Sequence, residues 1–131
     1  MAIKKYKFAK LVRDNIVSDI QRVGNKPVFR VLEKDEYVSE LQKKLFEEAN
    51  EIVSAPKEEL LGELADIQEI IDNLIDALDI SKQDLKAAQD KKNAKAGSFK
   101  EKHYVDYVET DSESEWAKFY NKNSHKYPEM K

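Results

Sequence analysis

The sequence predicts a mainly α-helical protein with a minor two-stranded β element. Only 3 Gly and 3 Pro occur in 131 residues, which is too few for the many tight turns of an all-β fold. Apolar residues make up 40% of the chain and charged residues 37%, and the apolar residues recur largely at the three- and four-residue spacing of amphipathic helices. This combination favours one helix-rich domain with a large solvated surface.

Four segments have the periodicity or the end signals of helices. They are residues 9–23, 36–54, 57–79 and 81–96. Gly24 and Gly97 follow the first and the last of them, where a helix often ends in a left-handed residue. Pro56 separates the second from the third, because proline disfavours the α conformation in the residue before it. Ser81 and Asp84 stand in a capping-box arrangement at the start of the fourth.

Two short segments supply the predicted β element. Residues 28–32 follow Pro27 and are rich in β-branched and aromatic side chains, and residues 103–108 alternate apolar and polar positions. We expect these two segments to pair as strands. The aromatic residues near the second segment are expected in the core; they are Phe99, Tyr104 and Tyr107.

Charge is distributed unevenly along the chain. Residues 1–34 carry nine Lys/Arg against three acids, a net +6, and residues 41–90 carry five Lys against thirteen acids, a net −8. Residues 91–102 carry five Lys against one acid, a net +4. A nucleic-acid-binding protein would need a continuous basic surface, so we expect no nucleic-acid partner. An acidic middle with basic flanks suits a metal ion with a phosphate ligand, and ordinary solvated surface is the alternative.

The sequence also bears on where the protein is found. It has no Cys, so it has no disulfide framework, no thiolate nucleophile and no Cys-based metal site. The N-terminus is basic but lacks the apolar run of a signal peptide. No stretch approaches the roughly 18 consecutive apolar residues of a membrane span. We therefore expect a cytoplasmic protein that is not inserted in a membrane.

The acidic middle places carboxylates beside the apolar faces of two predicted helices. An α-helix turns about 100° per residue. On the second predicted helix Glu48 lies at about −60° from Leu45, at the edge of the apolar face, and Glu51 lies beside it. On the third, Glu63 falls inside the apolar arc and Asp66 falls just beyond it. Each helix therefore carries an i, i+3 carboxylate pair on one flank of its packing surface.

A bound cation would explain carboxylates in these positions. Desolvating a lone ionised carboxylate costs several kcal/mol or forces its protonation. Mg²⁺ prefers oxygen ligands in octahedral geometry, often a few carboxylates completed by phosphate and water. The alternative is that the acids lie at the boundary of the core, solvated or paired with Lys44 or Lys57.

The spacing of these acids resembles a known signature. Glu47-Glu48-x-x-Glu51, a gap of 11 residues and Glu63-x-x-Asp66 resemble the EExxE…ExxD motif of the MazG-like all-α NTP pyrophosphatases. That superfamily includes phosphoribosyl-ATP pyrophosphohydrolase. The segments KLVRDNI, VLEKDEYVSEL and KKNAKAGSF look like those of a small house-cleaning branch of the superfamily.

The resemblance implies a domain organisation. It covers about residues 8–109, so we expect a MazG-like helical bundle over residues 1–109 and a C-terminal tail over residues 110–131. The tail lies outside the resemblance. Its aromatic residues predict one short helical turn docked on the body or on a partner, with a partly ordered tail as the alternative; they are Trp116, Phe119 and Tyr120.

The resemblance also implies an activity. Family members hydrolyse a nucleoside triphosphate between the α and β phosphates, giving the monophosphate and pyrophosphate, with Mg²⁺ as cofactor and Mn²⁺ as an alternative. Carried over by position, the metal ligands are Glu48, Glu51, Glu63 and Asp66. Glu47 and Glu48 are the expected catalytic residues, and Glu47 either completes the metal shell or orients the attacking water.

Four basic residues match family-like positions for binding the substrate phosphates. They are Lys10, Arg13, Lys92 and Lys95. For Lys92 and Lys95 the alternative is a favourable interaction with the negative end of the helix dipole. The resemblance further implies a homodimer. The nucleotide remains open, because canonical, deoxy and damaged nucleotides all fit. Stacking on its base is the alternative to core packing for Phe99, Tyr104 and Tyr107.

Three other readings compete with a pyrophosphohydrolase. A carboxylate-bridged di-iron bundle needs Glu-x-x-His motifs, and neither of the 2 His has an acid three residues before it. A catalytically inactive nucleotide sensor would keep the same acids. A helical protein-interaction module would tolerate Gln at Glu48 and at Glu63, whereas a metal enzyme would lose turnover.

Overall fold

The computed structural model describes residues 2–131 and is mainly helical, as predicted. The helices are α1 Ile16–Arg22, α2 Lys34–Ser54, α3 Leu60–Ala77, α4 Lys82–Ala96 and α5 Glu115–Lys122, and a 3₁₀ turn, Lys57–Glu59, precedes α3. The chain divides into two compact units, Met1–Lys95 and Ala96–Lys131.

The first unit is organised around the hairpin of α2 and α3. The two helices run antiparallel, since the hydroxyl of Tyr37 at the start of α2 donates to Asn73 Oδ1 near the end of α3 at 3.3 Å. Their facing apolar side chains form a small core, in which Leu41, Ile70 and Ile75 are buried. Helical periodicity in the sequence thus produces two amphipathic helices that cover one another.

Local end signals place the helix boundaries close to the predicted ones. The backbone N–H of Asp84 donates to Ser81 Oγ at 3.0 Å, and this cap precedes the first residue of α4. Gly24 and Gly97 have φ of +87° and +81°, which glycine adopts without the steric cost of a Cβ. Pro56 lies between the end of α2 and the 3₁₀ turn.

The first predicted helix is shorter than expected. The sequence predicts residues 9–23, whereas α1 begins at Ile16. Ala9 has a positive φ of 47°, which is incompatible with a right-handed helix. Leu11 and Val12 are half-buried in a non-helical conformation. Their apolar side chains are therefore covered without the helical turn that their spacing suggested.

The predicted two-stranded element is wrong for the described residues 2–131. Residues 28–32 and 103–108 are assigned to no strand there, and neither segment contributes to the backbone hydrogen bonds found outside the helices. Val28 and Tyr104 are 94% and 87% exposed. Composition and alternation give a segment a preference for the β conformation. A strand also needs a neighbouring strand to share its backbone hydrogen bonds, and an isolated pair of strands is only marginally stable in water.

The three aromatic residues expected in the core are also on the surface. Phe99, Tyr104 and Tyr107 are all largely exposed, so the prediction of core packing is wrong for this chain. Their proposed stacking on a nucleotide base stays a prediction.

Helix α4 differs from α2 and α3 in its surroundings. All of its described residues, 82–96, are exposed, and over this range the backbone of α4 packs against neither α2 nor α3. Its sequence is rich in Lys, Ala, Gln and Asp and presents no continuous apolar stripe. Local interactions therefore account for its helical conformation.

The second unit contains α5, which begins with a capped turn. Ser114 Oγ accepts the backbone N–H of Ala117 at 3.1 Å, and Ala117 is buried. The aromatic rings of Trp116 and Tyr120 stack with centroids 6.1 Å apart, and the ring of Tyr127 meets that of Tyr120 at 5.2 Å. The tail thus contains a short helix held by its own aromatic cluster. The predicted division at residues 109/110 stays a prediction.

No helix in the described part of the chain, residues 2–131, has both the length and the apolar character to cross a membrane.

Candidate metal centre

Three carboxylates meet where α2 and α3 face one another. Glu48 is on α2, and Glu63 and Asp66 are on the first two turns of α3. One carboxylate oxygen from each residue lies within 4.8 Å of the others. All three side chains are half-buried. The antiparallel hairpin therefore brings Glu48, from the i, i+3 pair on α2, close to both members of the pair on α3. Glu48, Glu63 and Asp66 are called the acidic cluster below.

The acidic cluster contains polar atoms without partners. Glu48 Oε2 and Glu63 Oε2 are buried and have no hydrogen-bond partner among the described residues. An unsatisfied buried acceptor costs about 1–3 kcal/mol, and more when it is charged. Two ionised carboxylates can only accept hydrogen bonds, so they cannot satisfy one another. A shared proton, a bound cation or an ordered water would relieve these oxygens.

The proton affinity of Glu48 reflects this environment. Burial raises the pKa of Glu48 to about 7, and the neighbouring carboxyl group of Glu63 adds to the effect. The negative charges of Glu51, Asp66 and Glu63 raise this pKa further. Carboxylates that repel one another at close range favour protonation of one member, so near neutral pH the cluster is partly protonated unless a metal cation replaces the proton.

Asp66 is balanced by a basic residue from the N-terminal segment. The Arg13 guanidinium donates from Nη2 to Asp66 Oδ1 at 2.7 Å, and the two side chains are 59% and 42% exposed. An exposed pair of this kind contributes about 0–1 kcal/mol to stability. Arg13 therefore neutralises part of the cluster without being locked in place.

A groove of about 440 Å³ lies beside the acidic cluster in the first unit. Its acidic wall includes Glu48, Asp66 and Glu69, and its basic side chains are Lys10, Arg13 and Lys44. The remaining lining residues are Phe8, Leu11, Val12, Asp14, Ile16, Tyr37, Leu41, Ile70 and Asn73. Seven of the fifteen lining residues are charged and six are apolar, so the groove could hold a charged ligand beside the cluster.

The groove includes residues that the sequence analysis did not select for binding. Tyr37 and Lys44 line it together with Leu41 and Glu48. These four positions follow an i, i+4, i+7, i+11 pattern, so they lie on one face of α2. Burial is the largest cause of the raised pKa of Tyr37, and the charges of nearby acids add to it. The signal for Tyr37 in the sequence is its helical spacing from Glu48, which places both on the same face of α2.

Two of the predicted ligands and catalytic residues are not members of the cluster. Glu51 is exposed and is not one of the three clustered acids, although its charge acts on Glu48. Glu47 is exposed as well. Their assigned roles stay predictions.

The four predicted phosphate-binding residues separate into two groups. Lys10 and Arg13 line the groove, and the Lys10 ammonium lies 5.9 Å from the centre of the Phe8 ring. Lys92 and Lys95 are exposed on α4 and do not line the groove. The fold thus brings one group to the groove beside the acidic cluster, and the other group lies outside its lining.

The donor set fits a hard divalent cation. Three carboxylate oxygens at short separation provide the ligand type that Mg²⁺ and Ca²⁺ prefer, with further positions left for water or a phosphate group. No family model, curated protein or solved structure matches this chain. The interpretation therefore depends on the geometry of the site and on the motif in the sequence.

Proposed function

We propose that the protein is a Mg²⁺-dependent nucleoside triphosphate pyrophosphohydrolase of the MazG-like type. The observation that supports this best is the acidic cluster, whose two buried and unpartnered oxygens call for a cation. Beside it lies a groove with basic side chains suited to phosphate. The proposed reaction splits the α–β phosphate bond and releases the monophosphate and pyrophosphate.

Glu48, Glu63 and Asp66 would hold the metal, and Glu51 is the proposed fourth protein ligand. When bound, Mg²⁺ polarises phosphoryl oxygens and lowers the pKa of a coordinated water. Glu47 and the second oxygen of Glu48 are the groups proposed to orient a water and accept its proton. This division of roles requires no covalent nucleophile, in keeping with a chain that contains no Cys.

The basic residues give the groove its preference for phosphate. Lys10 and Arg13 line it, and a guanidinium matches two phosphate oxygens at once. Lys92 and Lys95 are proposed as further phosphate ligands on the strength of the resemblance alone. Manganese is an alternative metal because it shares the preference of Mg²⁺ for oxygen ligands. Such an enzyme would remove unwanted nucleotides from the cytoplasmic pool.

A nucleotide panel tests the proposed reaction. The purified protein is incubated with Mg²⁺ and canonical, deoxy and oxidised nucleoside triphosphates, and release of monophosphate and pyrophosphate is followed. Glu48→Gln should abolish turnover, whereas Glu58→Gln, a matched change at an exposed acid outside the cluster, should leave it intact. Release of orthophosphate alone, or equal activity in both variants, would contradict the proposal.

A second copy of the chain is the proposed partner. The first unit exposes several large apolar side chains on α2 and α3, including Phe46 at 71%, Val53 at 86% and Leu61 at 80%. Burying such side chains is favourable at about 25 cal/mol per Å², so a homodimer would stabilise the hairpin. Light scattering that gave the mass of a monomer at working concentration would contradict this proposal.

A further inference from the structure

Arg13 takes part in two features of the groove. It pairs with a carboxylate of the acidic cluster, and it is one of the basic side chains that line the groove. Arg13 donates to Asp66 at 2.7 Å, and Asp66 belongs to the acidic cluster. The same guanidinium lines the groove together with Lys10 and Lys44. These two lysines have no ion-pair partner among residues 2–131.

We propose that Arg13 exchanges partners: it is the counter-ion of Asp66 until a divalent cation occupies the acidic cluster, and it then binds the phosphate group of an anion in the groove. This exchange rests on the proposed function, because it requires the acidic cluster to bind a metal. It adds a coupling between the metal and the anionic ligand, carried by one side chain.

The backbone around Arg13 is held in place, whereas the side chain of Arg13 is exposed. Leu11, Val12 and Ile16 are half-buried on either side of it, so the main chain of the segment is fixed by apolar contacts. The side chain of Arg13 is 59% exposed, and it makes no other hydrogen bond among the described residues. The side chain can therefore leave Asp66 without disturbing the segment that carries it.

Arg13 and a metal ion would compete for the same carboxylate. A cation held by one oxygen each of Glu48, Glu63 and Asp66 lies within a few ångströms of the group that Arg13 contacts. Two positive charges at that separation repel one another. A half-exposed ion pair changes an equilibrium by no more than about fivefold, so three chelating carboxylates favour the metal.

Once it has left Asp66, the guanidinium of Arg13 can bind a phosphate group in the groove. Lys10 and Lys44 give the groove two further positive charges near Arg13. Arginine binds phosphate through two parallel N–H donors, and an anion between these side chains would occupy the groove beside the cluster. Metal binding thus raises the affinity for the anion, and by linkage the anion raises the affinity for the metal.

A fixed positioning role for Arg13 predicts the opposite sign. If Arg13 stayed on Asp66 to orient it as a metal ligand, removing the guanidinium would weaken metal binding about 10- to 100-fold. If Arg13 competes, its removal strengthens the binding of Mg²⁺ alone. The direction of the change therefore separates the two roles.

Calorimetry with Mg²⁺ alone tests this sign. The full chain is stripped of metal with a chelator, and Arg13→Gln is compared with the natural protein and with Arg30→Gln. Arg30 pairs with Glu36 through two exposed hydrogen bonds outside the groove, which makes it a matched control. Arg13→Gln should bind Mg²⁺ about two- to fivefold more tightly, and Arg30→Gln should be unchanged; circular dichroism confirms that both variants are folded.

A second measurement follows the side chain and the anion. In protein labelled with ¹⁵N-arginine, the Nε–H signal of Arg13 should shift towards that of free arginine as Mg²⁺ is added, while the Arg30 signal stays in place. Inorganic phosphate should bind more weakly to Arg13→Gln than to the natural protein when Mg²⁺ is saturating. Without Mg²⁺ the two should bind phosphate equally.

The outcomes distinguish failure of the exchange from failure of the proposed function. Mg²⁺ binding that is unchanged or weakened in Arg13→Gln, with an unmoved Arg13 signal, contradicts the exchange and leaves the metal centre standing. Absence of Mg²⁺ binding in every variant contradicts the metal centre and the exchange with it.

Discussion

Helices α3 and α4 follow one another in the chain, and both are flanked by clear start or stop signals, yet only α3 packs. Ile70 and Ile75 of α3 are buried in the core of the hairpin, whereas every residue of α4 is exposed. The cap at Ser81 and the ion pair between Lys86 and Asp90, at 2.6 Å, are local to α4. Local signals therefore suffice to form a helix, and an apolar stripe is needed to give it a place in the fold.

Truncating the core of the hairpin should produce the largest effect. Ile70→Ala removes buried methyl and methylene groups, so we expect a loss of about 2–5 kcal/mol in the free energy of unfolding. The matched change on α4, Leu85→Ala, should cost less than about 1 kcal/mol because Leu85 is already 39% exposed. Urea unfolding followed by circular dichroism measures both. Equal losses would show that α4 packs after all.

The acidic cluster should give the hairpin a pH dependence that α4 lacks. The pKa of Glu48 is raised from 4.5 to about 7 in the folded protein, so the folded state binds more protons than the unfolded state between these values. Without a divalent cation, stability should therefore fall by about 1–3 kcal/mol as the pH rises from 4.5 through 7. Glu48→Gln should flatten this slope in urea-unfolding series.

A control for the pH series is available at Glu36. Its pKa is lowered, chiefly by a hydrogen bond from Arg30, so its stabilising contribution is present above pH 4.5 and is lost as the pH falls below that value. Glu36→Gln should therefore leave the slope between pH 5 and 8 unchanged. A slope that persists in Glu48→Gln would assign the titration to another group.

Removing the cap of α4 should act on that helix alone. Ser81→Ala deprives the Asp84 N–H of its acceptor and should cost about 0.5–1 kcal/mol of local helix stability. Amide hydrogen exchange should become faster in residues 82–96 and stay unchanged in residues 60–77. Faster exchange in both segments would indicate that the two helices open together.

The smallest effect should come from the ion pair on α4. Lys86→Ala removes the partner of Asp90, and an i, i+4 pair on an exposed helix contributes about 0.3–0.5 kcal/mol. Carbon chemical shifts of residues 82–96 should show a slightly lower helix population at low salt. The difference should vanish at high salt, where the pair is screened.

The sequence predicted the acidic cluster better than it predicted the surroundings of that cluster. Helical angles placed Glu48 and Glu63 on packing flanks, and those angles depend only on the regular geometry of a helix. The contact between Arg13 and Asp66 joins residues 53 positions apart, and no local rule sets such a register. The β-branched and aromatic residues in 28–32 suggested a strand, although a strand exists only where a neighbour accepts its hydrogen bonds.

The short connection at Pro56 has a consequence for how the molecule assembles. Glu48, Glu63 and Asp66 all lie on one hairpin, with only the 3₁₀ turn and its flanking residues between the two helices. Contacts between segments so near in sequence close early, because little chain entropy is lost in bringing them together. The three carboxylates should thus approach one another while the rest of the chain is still unfolded. Their mutual repulsion then opposes closure of the hairpin, and in this way it affects the order of folding.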